Sequence, residues 1–373
     1  MTSTSAPVLH LAPYLWSGAG GVITRLCEHQ ARRRPVYLAT TGRAGGAGDW
    51  AAYRTRLRRA GVHHVTLDSF HRDPESYWAS ATRLARLYEA IRPPVVHAHA
   101  GVPTALAVTA RDLSRVTPRV VGQMYSWGPN RPSWMDRQDL WAFARADVVV
   151  CSAHAYRRLL VAGAVPAARL AYVPWGLPLD ALPFRVAAER RPGDIGPVIG
   201  CVGRLEPRKA QAELVDAFAV VRRRHPQARL ELVGPIADRV YGVEVRRAIR
   251  AHGLGGAVRL CGLVPDVPAM LRTWDLFVSL STDEGQGLAV LEAMATGVPV
   301  VARVVPGVED FLVGGRTGWA VSGRSADATA RAIRRALDRP AEGRAIARRA
   351  RRLVERRYDW AAMLGTFERL YRG

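Results

Sequence analysis

Short apolar runs recur along the chain, and between them apolar residues return at helical spacing. In the first half the runs fall at residues 8–11, 36–39, 64–67, 95–97, 120–123, 148–151 and 170–173. In the second half they fall at 198–202, 230–233, 258–261, 276–280 and 298–302. Continuous apolar strands are covered on both faces, and helices between them predict parallel sheets of the doubly wound α/β kind. Residues 174–197 are rich in proline and charge with little periodicity, which predicts a linker between two lobes. The strand series restarts immediately after it. One helix end is well marked, with a stop at Gly297 and Pro299 opening the next strand.

Length supports the same division, since 373 residues exceed one ordinary domain and suit two. With 49% hydrophobic residues, each lobe can bury a core of its own. The expected division is an N-terminal lobe over 1–180 and a C-terminal lobe over 181–357, with a last helix, about 358–373, packing back on the first. No apolar run approaches the roughly 20 residues that cross a bilayer. No basic residue precedes Arg25 as a signal-peptide start would require, so a cytoplasmic protein is expected. Cys27, Cys151, Cys201 and Cys261 lie far apart in or beside apolar stretches, the pattern of buried core thiols rather than of disulfides or zinc.

A net charge of +22 raises nucleic acid, a membrane surface or an acidic ligand as partners. The excess divides evenly about residue 180, 11 on each side, which argues against a basic tail or a single nucleic-acid stripe. The one dense run is Arg344, Arg348, Arg349, Arg351, Arg352, Arg356 and Arg357. Ile346, Ala350, Leu353 and Val354 recur within it at helical spacing, predicting a docked helix with a solvated basic face. A weak contact with an anionic surface is the alternative. Of the 54 cationic side chains, Lys209 alone is a lysine.

Three motifs carry chemistry. Gly20 and Gly21 stand before a helical pattern over 22–33, where free amides and the helix dipole favour an anion. In Val202-Gly203-Arg204-Leu205-Glu206-Pro207-Arg208-Lys209 a strand enters a tight turn. Arg204 and Lys209 can overhang the strand's C-terminal edge, where open α/β sheets bind ligands. A planar guanidinium and a compact ammonium at this spacing suit a diphosphate. In the third motif a buried strand leads to Glu284, Gly285 and Gly287 frame a turn around Gln286, and a helix from Leu288 carries Glu292. One carboxylate would lie beside a sugar and the other would accept from ribose hydroxyls, with the helix N-terminus suited to phosphate. His97 and His99 follow a strand and share a face by alternation, and either also reads as a satisfied core histidine.

In this order, Gly-Gly-Val, His-Ala-His, Gly-Arg-Leu…Lys and Glu-x7-Glu, the motifs resemble glycosyltransferase family 4. These are retaining enzymes of the GT-B fold, two Rossmann-like doubly wound lobes facing a cleft. The resemblance covers essentially the whole chain and is strongest over 198–321. It implies that Arg204 and Lys209 grip the donor diphosphate, with Glu284 at the transferred sugar and Glu292 at the ribose. It further implies that the loop from Gly262 through Leu263 and Val264 to Pro265 reads the base. Gly20, Gly21 and His99 would face the donor from the N-terminal lobe, His99 near sugar and acceptor. The expected catalytic set is His99, Glu284, Arg204 and Lys209. Donor contacts are expected from Gly20, Gly21, Gly203, Val264, Gly285, Gln286, Gly287, Leu288 and Glu292 as well.

Three departures bear on the substrates. Gln286 stands where an apolar or aromatic residue is usual, which makes the sugar pocket more polar. Pro174-Trp175-Gly176 replaces Pro-Asn-Gly, and Gln123-Met124-Tyr125-Ser126-Trp127 replaces a His-Asp pair. Tyr125, Trp127, Asn130 and Asp136, with Trp134 and Asp139 nearby, mix aromatic and polar groups as carbohydrate-facing loops do, and are the acceptor candidates. The expected function is transfer of a hexose from a nucleoside-diphosphate sugar, with UDP as the expected nucleotide. The receiving group is a hydroxyl of a small polar acceptor such as an aminocyclitol or sugar intermediate. No metal or cofactor is expected, because no Asp-x-Asp occurs and cations can meet the diphosphate charge. A nucleotide-sugar epimerase of similar fold is the rival within enzymology, which acceptor-free conversion would reveal. A basic nucleic-acid-binding protein is the rival outside it, which steep salt dependence of oligonucleotide binding would reveal.

Overall fold

The computed structural model describes residues 6–15, 18–41, 50–67, 70, 73–127, 132–185 and 196–372. The chain divides into two compact units, Met1–Pro174 with Met363–Gly373, and Trp175–Ala362. The first unit ends at Pro174 rather than at 180 because the residues that follow are tied into the second. Leu177 N donates to Tyr358 O at 2.8 Å, and Arg185 N to Thr296 O at 3.0 Å. Within the stretch expected to be a linker, residues 186–195 lie outside the described residues.

Among the described residues the N-terminal unit carries seven parallel strands: β1 (Val8–Leu11), β2 (Val36–Thr41), β3 (Val62–Leu67), β4 (Val95–His99), β5 (Arg119–Met124), β6 (Val148–Cys151) and β7 (Leu170–Tyr172). Between them lie α1 (Gly18–Ala31), α2 (Trp50–Arg59), α3 (Pro74–Ile91), α4 (Gly101–Leu113), α5 (Ser133–Arg145) and α6 (His154–Ala162). The sheet order is β3-β2-β1-β4-β5-β6-β7. β1 therefore pairs with β2 on one side and β4 on the other, and the strand order reverses between β1 and β4. Alternation sends Leu9, Leu11, Val96 and Ala98 into a core with Leu84, Tyr88, Leu106 and Phe143 of α3, α4 and α5. It sends His10, His97 and His99 to the opposite face.

Among its described residues the second unit carries six parallel strands: β8 (Val198–Val202), β9 (Arg229–Val233), β10 (Val258–Gly262), β11 (Leu276–Ser279), β12 (Val300–Arg303) and β13 (Trp319–Val321). Its helices are α7 (Gln211–Arg222), α8 (Arg239–Ala251), α9 (Val267–Leu271), α10 (Leu288–Thr296), α11 (Ala326–Asp338) and α12 (Pro340–Arg357), and α13 (Trp360–Arg372) follows. In the order β10-β9-β8-β11-β12-β13 the reversal lies between β8 and β11. One face buries Ile199, Cys201, Leu276 and Val278 under α7, α8 and α11; the other buries Phe277, Val300 and Ala302 under α10 and α12. α10 stops as expected, at Gly297 in the left-handed region with φ 91°. The strand β13 was not expected.

α12 docks through Gly343, Ile346, Ala347, Ala350 and Val354. Fully burying Ile346 and Val354 contributes about 2 kcal/mol each. Its arginines are only partly a solvated face. Arg351 donates to Leu182 O at 2.8 Å and Ala295 O at 2.7 Å, Arg349 to Arg316 O at 2.9 Å, and Arg357 to Asp310 O at 3.1 Å. Part of the basic run thus staples backbone carbonyls within its own unit. Cys27, Cys151 and Cys201 are buried as expected, and Cys261 is half-buried. Among the described residues no helix is long and apolar enough to cross a membrane.

Candidate functional site

Both charged motifs of the second unit emerge at its point of strand reversal. The loop after β8 carries Gly203, Arg204 and Lys209, and the loop after β11 carries Glu284. Gly203 N donates to Val233 O at 2.8 Å and Leu205 N to Pro235 O at 2.9 Å, which fixes the first loop against the neighbouring one. The two reversal-point loops then meet. Thr282 N donates to Arg208 O at 2.8 Å, and Lys209 Nζ lies 2.5 Å from Glu284 Oε1. Arg204 and Arg208 share Glu206 Oε1 at 3.1 and 2.6 Å, and Arg208 also reaches toward Asp283 at 3.8 Å. Arg208, which sequence reasoning passed over, is therefore part of the same charged layer, alternating in sign from Arg204 to Glu284.

α10 begins directly behind this layer. Its N-cap is Gly287 with φ 71°, a conformation that L side chains rarely adopt. A Cβ there would also meet Val308 at 3.0 Å and Phe311 at 3.3 Å. Leu288 opens the helix and Glu292, half-buried, follows one turn later. The helix has no acidic residue in its first turn, so its amides and dipole face the loop without a carboxylate of their own. Val264 packs beneath, against the core, while Leu263 beside it is 63% exposed.

Gln286 overturns an expectation. Its Nε2 donates to Trp175 O at 2.9 Å and its Oε1 accepts from Trp175 N at 2.5 Å, with the side chain buried. The amide that was to make a sugar pocket polar is engaged at both ends by backbone. Trp175, the departure from Pro-Asn-Gly, and Gln286, the departure between the glycines, prove to be partners.

In the N-terminal unit the glycine pair is not placed before a helix but inside the first turn of α1, which starts at Gly18. The two glycines differ. A Cβ on Gly20 would fall 2.0 Å from Leu15 O, so Gly20 is needed for close packing, whereas Gly21 meets nothing within 4 Å. His97 and His99 lie within β4 rather than after it, and His10 of β1 stands opposite His97 in register. All three rings are buried. His99 Nε2 lies 3.0 Å from His10 Nδ1, and His99 Nδ1 lies 2.8 Å from the Tyr125 hydroxyl. Both ring nitrogens of His99 are thus engaged within the unit. Burial pushes its pKa well below the usual imidazole range, with His97 and His10 adding to the shift.

One ring nitrogen from each of the three histidines lies within 4.8 Å of the others, close enough to suggest a metal site. The ring planes argue otherwise. His10 and His99 are within 13° of coplanar and joined nitrogen to nitrogen at 3.0 Å, so their lone-pair axes point at each other and not at a common third point. This is hydrogen-bond geometry.

Of the acceptor candidates, Tyr125 and Trp127 are half-buried just after β5, and Asp136 is half-buried in the first turn of α5. Asn130 lies outside the described residues. Asp139 is buried: a Cβ on Gly101 would fall 2.1 Å from its carboxyl carbon, so its charge sits at the positive end of α4. It stabilises that helix.

Two family models tile the chain. Glycosyltransferase Family 4 matches residues 16–181, and Glycosyl transferases group 1 matches residues 188–353. The chain belongs to glycosyltransferase family 4. Among relatives of this glycosyltransferase, a glycogen synthase of Mycobacterium tuberculosis is 27% identical over 75% of the chain and 69% of that protein. A GDP-mannose-dependent alpha-(1-6)-phosphatidylinositol monomannoside mannosyltransferase of the same organism is 33% identical over 59% of the chain and 61% of its own length. The fold is GT-B, shared with Anabaena HepE solved in complex with UDP-glucose (TM-score 0.83, 19% identity, 98% and 99% of the two chains). Sucrose-phosphate synthase of Thermosynechococcus elongatus aligns equally well (TM-score 0.83, 21% identity, 99% and 98%).

Proposed function

We propose that this family 4 glycosyltransferase moves a hexose, with retention of anomeric configuration, from a UDP-linked donor to a hydroxyl of a small polar acceptor such as an aminocyclitol or amino sugar. The observation that carries the donor half is the Lys209–Glu284 contact at 2.5 Å across the β8–β11 reversal, with the N-terminus of α10 behind it. Lys209 and Arg204 would hold the diphosphate and stabilise the charge that develops on it as the glycosidic bond breaks. Glu284 fixes the ammonium until a phosphate takes its place and then lies beside the transferred sugar. Glu292 would take the ribose hydroxyls. Attack by the acceptor hydroxyl from the face of the departing diphosphate needs no protein nucleophile. It needs no metal either, because Arg204 and Lys209 can meet the charge of the diphosphate. HepE, solved with UDP-glucose, supports the uridine nucleotide, and the GDP-mannose-dependent relative supplies the competing one.

The test begins with melting temperature in the presence of UDP-glucose, UDP-N-acetylglucosamine or GDP-mannose, since a ligand bound only by the folded state raises it. The preferred donor is then incubated with D-glucosamine and with myo-inositol, and the product anomer is read by NMR. Retention, with activity unaffected by chelator, is expected. An inverted product, loss of activity in chelator restored by magnesium, or acceptor-free conversion of the donor would each overturn the reading.

The two glutamates are expected to fail differently. Glu292→Ala should raise donor KM about tenfold with kcat little changed, the cost of one hydrogen-bonding carboxylate. Glu284→Ala should lower kcat about tenfold, since it removes both the group at the sugar and the anchor of Lys209. Equal effects on both parameters in both variants would refute separate roles.

A further inference from the structure

Six polar side chains of the N-terminal unit, five of them buried and Tyr125 half-buried, form one chain of hydrogen bonds. It runs from the Tyr125 hydroxyl to His99 Nδ1 (2.8 Å), from His99 Nε2 to His10 Nδ1 (3.0 Å) and from His10 Nε2 to Gln30 Oε1 (2.8 Å). It continues from Gln30 Nε2 to the Tyr371 hydroxyl (3.5 Å) and from that hydroxyl to His97 Nδ1 (2.7 Å). His97 Nε2 and Gln123 Oε1 end it without a hydrogen bond of good geometry, although Gln123 still acts on the His97 ring as a hydrogen-bonding neighbour. The residues come from β1, α1, β4, β5, the segment after β5, and α13, and they fill the face of the sheet below the β1–β4 reversal.

The chain has a direction. A neutral imidazole offers one donor and one acceptor, so each ring passes on the direction it receives. With the Gln30 carbonyl oxygen toward His10, His10 Nε2 carries the hydrogen and His10 Nδ1 accepts; this sense, unlike its reverse, also puts an N–H of His97 Nε2 rather than a lone pair beside Gln123 Oε1. His99 must then donate from Nε2 and accept at Nδ1, and Tyr125 must be the donor to it. A phenol has one hydrogen. Once that hydrogen is committed to His99, the Tyr125 oxygen meets any further neighbour as an acceptor. At the other end the Gln30 amide donates to Tyr371, whose own hydrogen goes to His97 Nδ1. Burial keeps the Tyr125 phenol protonated and the rings neutral, as this arrangement requires.

We propose that this chain makes Tyr125 a directional acceptor-binding residue, its oxygen receiving a hydroxyl or ammonium hydrogen of the acceptor, with Gln30 and Tyr371 as the positioning residues that set the direction. The inference rests on the transfer reaction proposed above and deepens its acceptor half. Tyr125 stands at the carboxyl end of β5, the edge of the sheet at which doubly wound units take ligands. An oxygen that can only accept selects for polyols and protonated amines and against acceptors that present a carbonyl or phosphate oxygen there. Tyr371 lies on the last helix, 246 positions away from Tyr125, and holds the direction through Gln30.

Nitrogen-15 NMR of the imidazoles in the full-length protein tests the direction independently of any activity. His10, His97 and His99 should all be neutral at pH 7 with the hydrogen on Nε2. Tyr371→Phe keeps the ring packed beside His97 and Phe367 but frees the Gln30 amide, so His99 should become a mixture of tautomers. In that variant KM for D-glucosamine or myo-inositol, whichever is turned over, should rise about 5- to 10-fold, the loss of one oriented hydrogen bond. Its kcat and donor KM should stay within about twofold. Tyr125→Phe should raise the same KM at least as much. His99 carrying its hydrogen on Nδ1 in the unaltered protein would overturn the proposal, as would Tyr125→Phe with an unchanged acceptor KM. Expected tautomers without transfer to either acceptor would instead overturn the proposed function, and with it the assignment of Tyr125 to an acceptor.

Discussion

Lys209→Arg is expected to cut kcat/KM roughly 10- to 100-fold, although it conserves charge and although every other cation of this chain is already an arginine. If Lys209 were one more surface cation, the exchange would be silent. The structure gives it little room. Its side chain is 14% exposed, its Nζ is 2.5 Å from Glu284, and its methylenes lie 3.4–3.6 Å from where a Cβ on Gly203 would stand. An ammonium is a compact charge that can turn from Glu284 to a phosphate oxygen without moving its stem. A guanidinium is broad and planar, and would displace Glu284, the phosphate or Arg204. Removing one well-placed donor to developing negative charge typically costs about 3 kcal/mol, or ~10²-fold in rate. Lys209→Ala should lose more, while the urea midpoint of both variants stays close to that of the parent. Steady-state kinetics with the preferred donor decides the matter, and near-normal values for Lys209→Arg would make the single lysine an accident of composition.

Mild acid is expected to destabilise the protein steeply. His10 takes up a proton near its ordinary pKa of 6.5 when unfolded but only at about 4 when folded, because its buried ring has no water to stabilise the charge and Arg34 repels it. Between those two values the unfolded state binds more protons, so falling pH favours unfolding; the stability is complete above pH 6.5 and is lost on the way to pH 4. The shift corresponds to about 3 kcal/mol from His10 alone, and His97 and His99 are lowered in the same direction. Set against typical stabilities of about 5–15 kcal/mol, this is a large fraction of the whole. Hydrogen exchange of the β1 and β4 amides at pH 7, 6 and 5 would show it, with protection falling earlier there than in β8 and β11. Equal protection at pH 7 and 5 would mean that the cluster is already charged or hydrated.

The strand series was legible because parallel strands buried on both faces leave unbroken apolar runs. The charged motifs were legible for a related reason: Arg204, Lys209 and Glu284 sit in two loops whose ends are fixed by two strands that are adjacent in the sheet, and Glu292 is on the helix that follows the second loop. What the sequence concealed are pairings across long separations. Alternation put His97 and His99 on one face, but nothing local revealed that His10, Gln30 and Tyr371 would close over it. The histidine within the otherwise apolar 8–11 run was the available signal. Gln286 read as a pocket residue because its partner, Trp175, lies 111 positions earlier. Gly20 and Gly21 read alike, and only the close approach of Leu15 separates them.

That Gln286–Trp175 pairing bears on when order is acquired. The turn between Glu284 and Glu292 is held at its midpoint by a side chain that imitates a strand partner, accepting from and donating to one backbone residue. The conformational entropy of this turn is therefore lost at folding, before any nucleotide arrives. Less remains to be lost on association, so more of the contact energy of a ligand survives as affinity. A glutamate at 286 could accept but not donate, and would return part of that freedom to the empty protein.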